Sequence, residues 1–234
     1  MNNRTSEVNT NQLLVAWVHG WAISRRTAAA IKLPNGCFKI HVGVQGHVAR
    51  YILPGSDLSE IRSVATDIVE PGTWLKAAAP PNVVSAVLPE WWSVQAAEYL
   101  MGSALTAEVA ARVPTDYQLS IQTEEMAATA TLTHASGELA ATARVGISGT
   151  FAIFDQVVTE PNHRRKGLGS VVMQSLRNHA ISMRAVTGVL VATEDGLALY
   201  RALGWYLSTP MTAAVIPVPA SVANSYACHL ARDA

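Results

Sequence analysis

Along the first hundred residues the apolar positions change period several times. Leu13, Leu14, Trp17, Val18 and Trp21 recur at helical spacing, which predicts an amphipathic helix that buries both indoles in a core. Phe38 to Val44 alternates, Gln45-Gly46 makes a turn, and Val48 to Leu53 returns, the pattern of a β-hairpin. Pro54-Gly55-Ser56 breaks the chain, and Ser56 or Asp57 can cap a helix carrying Leu58, Ile61, Val64, Ala65 and Ile68. Four prolines, Pro71, Pro80, Pro81 and Pro89, make residues 71–90 rich in loops. The run Glu90 to Met101 is expected as a helix, with a strand as the alternative; its Trp91 and Trp92 either join a core or wall a pocket.

After Pro114 the period becomes two. Tyr117 to Ile121 alternates, and Ala127 to Thr133 and Leu139 to Ile147 flank a turn at Ala135-Ser136-Gly137, which predicts antiparallel strands. Phe151, Ile153, Val157 and Val158 mark another strand, stopped by Pro161 because proline supplies no ladder donor. Val171, Val172, Leu176, Ala180 and Met183 then recur at helical spacing. Gly188 to Thr193 reads as a short strand, and Glu194 to Leu203 as a helix carrying Leu197, Tyr200 and Leu203, ended by Gly204. Met211 to Val218 is expected as a closing strand, with Pro217 and Pro219 suited to an edge. Residues 1–10 and 220–234 form polar ends without a predicted element.

Composition narrows the classes this pattern can serve. Among 234 residues, 50% are apolar and 15% charged, which favours a packed core over disorder. The formal net charge is zero, so the chain lacks the basic face of a general nucleic-acid binder. Cys37 and Cys228 are far apart and read as free thiols of a reducing compartment. Neither a leader nor an apolar span of about 18 residues is visible, so the expectation is a cytoplasmic protein without a membrane partner. His41 and His47 have no third ligand at metal spacing, and no metal site is expected.

Chemistry concentrates between Asp155 and Ser170. Arg164, Arg165, Lys166, Gly167 and Gly169 occupy a strand-to-helix junction, where first-turn amides lack intrahelical partners and the helix dipole is positive. Glycines there let the backbone approach a phosphate closely. The Walker order fails because Lys166 precedes Gly167, and the dinucleotide fingerprint fails because Val172 stands where a third glycine belongs. Arg164-Arg-Lys-Gly-Leu-Gly169 does fit the pattern Gln/Arg-x-x-Gly-x-Gly/Ala. Downstream, Thr193-Glu-Asp-Gly-Leu-Ala-Leu-Tyr-Arg-Ala-Leu-Gly-Trp205 is similar to Asn-x-x-Ala-x-x-Leu-Tyr-x-x-x-Gly-Phe, with Thr193 and Gly196 as departures. On these two segments the chain resembles the GNAT superfamily of acyl-CoA-dependent N-acyltransferases.

That resemblance implies an α+β fold layered α/β/α, its mixed and mostly antiparallel sheet opened by a splayed central strand pair. It also implies three regions: 1–112, an N-terminal α/β part that sets acceptor specificity and resembles a degenerate lobe of the same fold; 113–219, the acyl-CoA-binding core; and 220–234, a tail. The loop Arg164, Arg165, Lys166, Gly167, Leu168, Gly169 and Ser170 would hold the pyrophosphate of acetyl-CoA. Val157, Val158 and Thr159 would pair through their main chain with the pantetheine arm, and Thr193 and Tyr200 would complete the cofactor site. Tyr200 is the expected general acid toward the leaving thiolate. For the base, Asp155 is favoured, two residues before Val157 on the same strand face, with Glu124, Glu125 and Glu194 as alternatives. His163 is expected to be exposed. The implied activity is acetyl transfer to a primary amine of a small molecule, by direct attack in a ternary complex of a monomer or homodimer. A non-catalytic acyl-CoA sensor and a protein or peptide N-acetyltransferase remain as alternatives.

Overall fold

The side chain of Asn9 accepts a bond from the Gln12 amide at 2.8 Å, which caps the first helix. In the computed structural model, which describes residues 8–219 apart from 108, 110 and 111, that helix is α1 (Thr10–Arg25). It is followed by β1 (Ile31–Lys32), β2 (Phe38–Val44), β3 (His47–Leu53), α2 (Leu58–Asp67), β4 (Thr73–Ala77), α3 (Pro81–Val84), β5 (Ser93–Val94) and β6 (Glu98–Ala104). Then come β7 (Tyr117–Glu124), β8 (Ala127–His134), β9 (Leu139–Ser148), β10 (Phe151–Thr159), α4 (Leu168–Ser182), β11 (Thr187–Thr193), α5 (Glu194–Ala202) and β12 (Tyr206–Val215). The tail expected at 220–234, and Cys228 within it, lie outside the described residues. Among the described residues no helix is long and apolar enough to cross a membrane.

The described residues form two units, one of 8–29 with 99–208 and one of 30–98 with 209–219. These limits do not follow the expected cut between 112 and 113. The reason is packing: α1 lies against β9 and β10 of the later sequence, so the start of the chain belongs with that sheet.

The first unit carries strands in the order β6-β11-β10-β9-β8-β7. Neighbours from β7 to β10 run antiparallel, while β10 and β11 run parallel through the crossover α4. α1 covers one face closely: a side chain at Gly146 would collide with the Gly20 carbonyl, and one at Gly20 with Ile153. On the other face Leu168, Val171, Val172 and Leu176 of α4 share a core with Val145, Ala152 and Phe154. The alternation of Ala152, Ile153 and Phe154 thus produces the expected α/β/α layering.

The second unit pairs β1-β2-β3-β4-β12, with β5 also on β12. It repeats the logic of the first: an antiparallel hairpin (β2, β3), a crossover helix (α2), then a parallel strand (β4). Residues 90–101 are not the expected helix; they supply β5 and the start of β6. Trp92 is buried and its Nε1 donates to the Ala65 carbonyl at 3.0 Å, and Trp91 Nε1 donates to the Ile68 carbonyl at 3.0 Å. The pair therefore satisfies orphan carbonyls at the end of α2, with Trp92 in the core, and sheet pairing overrides the helical spacing of the segment. The last strand begins at Tyr206, five residues before the expected Met211.

Candidate active site

A cavity of about 740 Å³ opens in the first unit where β10 and β11 part. They pair only from Phe151↔Thr187 to Phe154↔Leu190. Beyond that point Val158 and Thr159 keep Thr142 and Ala141 of β9 as partners on one side. Their other side faces the cavity, as do Val157 and residues 190–193 of β11. A bulge between Asp155 and Val158, with Gln156 at φ 50°, bends the strand away. The result is a slot bordered by strand edges that can accept an extended chain carrying amides.

At the end of β10 a 3₁₀ turn, Pro161–His163, leads into the cationic loop. Gly167 caps α4 from the left-handed region, φ 74°, with no side chain supplying a capping bond and no acid in the first turn. Nothing lies within 4 Å of where its Cβ would be, so the requirement for glycine is conformational. The amides of Leu168, Gly169 and Ser170 thus stand at a positive helix end that the chain itself does not neutralise. Gly169 passes close to Thr159, whose Oγ1 would lie 3.3 Å from an added Cβ. Arg164 Nε donates to the Thr159 carbonyl at 3.1 Å, tying loop to strand, and Arg165 also lines the cavity.

Lys166 departs from expectation. Its Nζ lies 3.1 Å from Tyr117 Oη and 5.8 Å from the ring centroid, and it does not line the cavity. His163, expected to be exposed, is 6% exposed; its Nδ1 lies 3.0 Å from Tyr117 Oη and its ring is edge-on to that tyrosine. Turn polarity suggested solvent, but the turn folds back onto β7, where Tyr117 supplies both a packing surface and a partner.

Tyr200 projects from α5 into the cavity wall, packed on Trp205 with ring centroids 5.9 Å apart; Trp205 in turn meets Phe154 edge-on. Burial, and secondly the negative charge of Asp155, push its phenol up to about 12. Gly196 leaves room beside it, since an added Cβ would sit 3.3 Å from Tyr200 Cε2. Thr193 caps α5, its Oγ1 accepting from the Gly196 amide at 3.3 Å, and also lines the cavity.

Asp155 lines the cavity and is paired through both carboxylate oxygens. Arg25 Nε donates to its Oδ2, Arg25 Nη2 to its Oδ1 at 3.1 Å, and Ser24 Oγ to Oδ2 at 3.4 Å. A carboxylate gripped through both oxygens is held in a fixed orientation. Of the alternative bases, Glu124 pairs with Arg26 and Glu194 accepts from Tyr99 Oη, and none of Glu124, Glu125 and Glu194 lines the cavity. Sequence reasoning did not find Arg25, Asp195, Met173 or Leu199. The last three follow the helical periods of α4 and α5 into the cavity, whereas Arg25 is more than a hundred residues from its partner and left no local signal. No cluster of three metal-ligating side chains occurs among the described residues.

The sequence model of the acetyltransferase (GNAT) family matches residues 88–205, half of the chain. No curated protein matches it. Solved structures share the fold at low identity. A GCN5-related N-acetyltransferase from Kribbella flavida is 16% identical, with 92% of this chain and 98% of that one covered, at a TM-score of 0.62. One from Sphaerobacter thermophilus is 10% identical over 79% of this chain and 78% of its own, at 0.52. A tandem GNAT protein from the clavulanic acid biosynthesis pathway, solved without AcCoA, is 13% identical over 78% and 79%, at 0.51.

Proposed function

The chain belongs to the GNAT family of acetyltransferases, and from that premise we propose that it transfers the acetyl group of acetyl-CoA to a primary amine of a small molecule. One observation carries the reading: an uncapped helix end at residues 167–170 stands at one end of a slot bordered by the open edges of β10 and β11. The donor set fits acetyl-CoA, with amides and Arg165 toward the diphosphate and the edge of Val157, Val158 and Thr159 toward the pantetheine arm.

In this reading a neutral amine attacks the thioester carbonyl carbon directly within a ternary complex, the C–N bond forms, and the C–S bond breaks. Tyr200, protonated throughout the physiological range, gives its proton to the departing sulfur and regains one from the nitrogen, so the net products are amide and free thiol. Burial makes Cys37 a poor nucleophile, its thiol pushed up to about 11, which suits transfer without a covalent enzyme intermediate. Family membership sets aside the sensor reading.

The test is twofold. Coenzyme A should bind the native chain and lose at least tenfold in affinity to the double variant Gly167→Asp, Gly169→Asp, which places carboxylates where the diphosphate would lie; equal affinity refutes the loop assignment. Thiol release from acetyl-CoA with polyamines, aminoglycosides, amino acids and peptides should then favour a small amine. Turnover confined to peptides would overturn the acceptor class.

A further inference from the structure

Helix α1 stops at Arg25, and Arg26 turns the chain away in the left-handed region at φ 56°. That ending delivers Arg25 to strand β10. Its guanidinium lies 5.4 Å from the centroid of the Trp21 ring and holds Asp155 through two nitrogens, joined by Ser24 Oγ. Asp155 is the residue at which β10 changes partners. Phe154 is the last residue paired to β11, and Asp155, opposite Arg144, is the last paired to β9 before the bulge. Three donors from one helix thus converge on one carboxylate where the slot begins.

We propose that Arg25 is a positioning residue for acetyl transfer: it fixes the Asp155 carboxylate at the bulge, which keeps β10 parted from β11 and sets a stationary negative charge beside Tyr200. Asp155 then acts through its placement and not as the proton acceptor. This rests on the acetyl-transfer reading of the cavity. The chemistry of the pair supports it, because a planar guanidinium gripping both oxygens specifies the orientation of a carboxylate, which a point-charge ammonium does not. The pair is also half-buried, where water screens it less than at the surface.

A double-mutant cycle on the full chain tests the proposal, with Arg25→Ala, Asp155→Asn, their combination and Arg25→Lys. The readouts are thiol release from acetyl-CoA with the best amine of the panel, and coenzyme A affinity by calorimetry. Each single variant should lose about tenfold or more in kcat. The combination should be no poorer than the poorer single, because Arg25 acts through Asp155. Coenzyme A affinity should fall by less than kcat does, because only the pantetheine edge at 157–159 loosens with the bulge, and Arg25→Lys should recover only part of the loss. Losses that multiply in the combination, or an Arg25→Ala variant with native kcat, overturn the proposal. Hydrogen exchange supplies an arm that needs no turnover: in Arg25→Ala the amides of 156–159 should exchange faster while 151–154 stay protected. Unchanged exchange at 156–159 overturns the proposal whatever the acceptor is. Failure of the native chain to bind coenzyme A would instead defeat the acetyl-transfer reading, and exchange would still decide whether Arg25 holds the bulge.

Discussion

Tyr200 shows how much one side chain depends on what surrounds it. At 9% exposure and near the Asp155 charge it keeps its proton, the phenol rising from an ordinary value of 10 to about 12. Below pH 10 it is neutral in both folded and unfolded chains; between 10 and 12 the unfolded chain ionises first, so the stability it contributes falls as pH rises through that window. A kcat–pH profile should therefore show no basic limb below about pH 10 that disappears in Tyr200→Phe. That variant should lose about a hundredfold in kcat while coenzyme A affinity changes less than about twofold, since a general acid contributes at the transition state and little to the bound ground state. Gly167 makes a different demand. Replacing it with alanine at φ 74° should lower stability by about 1 kcal/mol, read by denaturant midpoint, because a Cβ is strained in the left-handed region.

At the scale of elements, α1 and β9 approach each other closely. Gly146 faces the Gly20 carbonyl with no room for a methyl group, and the obstacle is backbone that cannot rotate aside. Gly146→Ala should destabilise by about 3 kcal/mol in urea unfolding, because the helix must lift from the sheet. If α1 carries Arg25 to Asp155 as described, the same variant should lower kcat more than coenzyme A affinity. The junctions at α2 and α4 differ in one decisive respect. Asp57 occupies the first-turn amides of α2, accepting from Ser59 at 2.7 Å and Glu60 at 3.4 Å, whereas Gly167 leaves those of α4 open.

At the scale of the two units, the acetyl-transfer reading turns this difference into a prediction of how many acyl carriers one chain holds. Both units use hairpin, crossover helix and parallel strand, but β3 and β4 stay paired from Ala49↔Thr73 to Leu53↔Ala77, while β10 and β11 part after Phe154↔Leu190. Among the described residues of the second unit, the paired β3 and β4 expose no facing strand edges, and Asp57 occupies the amides that Gly167 leaves open in the first. Calorimetry should give one coenzyme A per chain, and a second site of comparable affinity would contradict this account. Cys37, buried in that unit, should resist alkylation at pH 8 in the folded chain and react on unfolding, as peptide mapping would show.

Local physics was legible in the sequence. The alternation from Tyr117 to Ile147, the Asp57 cap, and the glycine spacing of 164–169 each report a constraint that acts within a few residues, so these strands and helix starts could be read from order alone. The layered α+β fold came with the family resemblance of 164–169 and 193–205. What tertiary structure decided lies where distant segments meet. Glu90 to Met101 changed from helix to strands because sheet partners and the carbonyls at the end of α2 claimed it. Lys166 and His163 were drawn to Tyr117, about fifty residues away in the chain and adjacent in space. Asp155 is paired with Arg25, a partner that nothing in its sequence neighbourhood announces. Periodicity reports which face a residue turns inward; which partner it meets there is set only when the layers close.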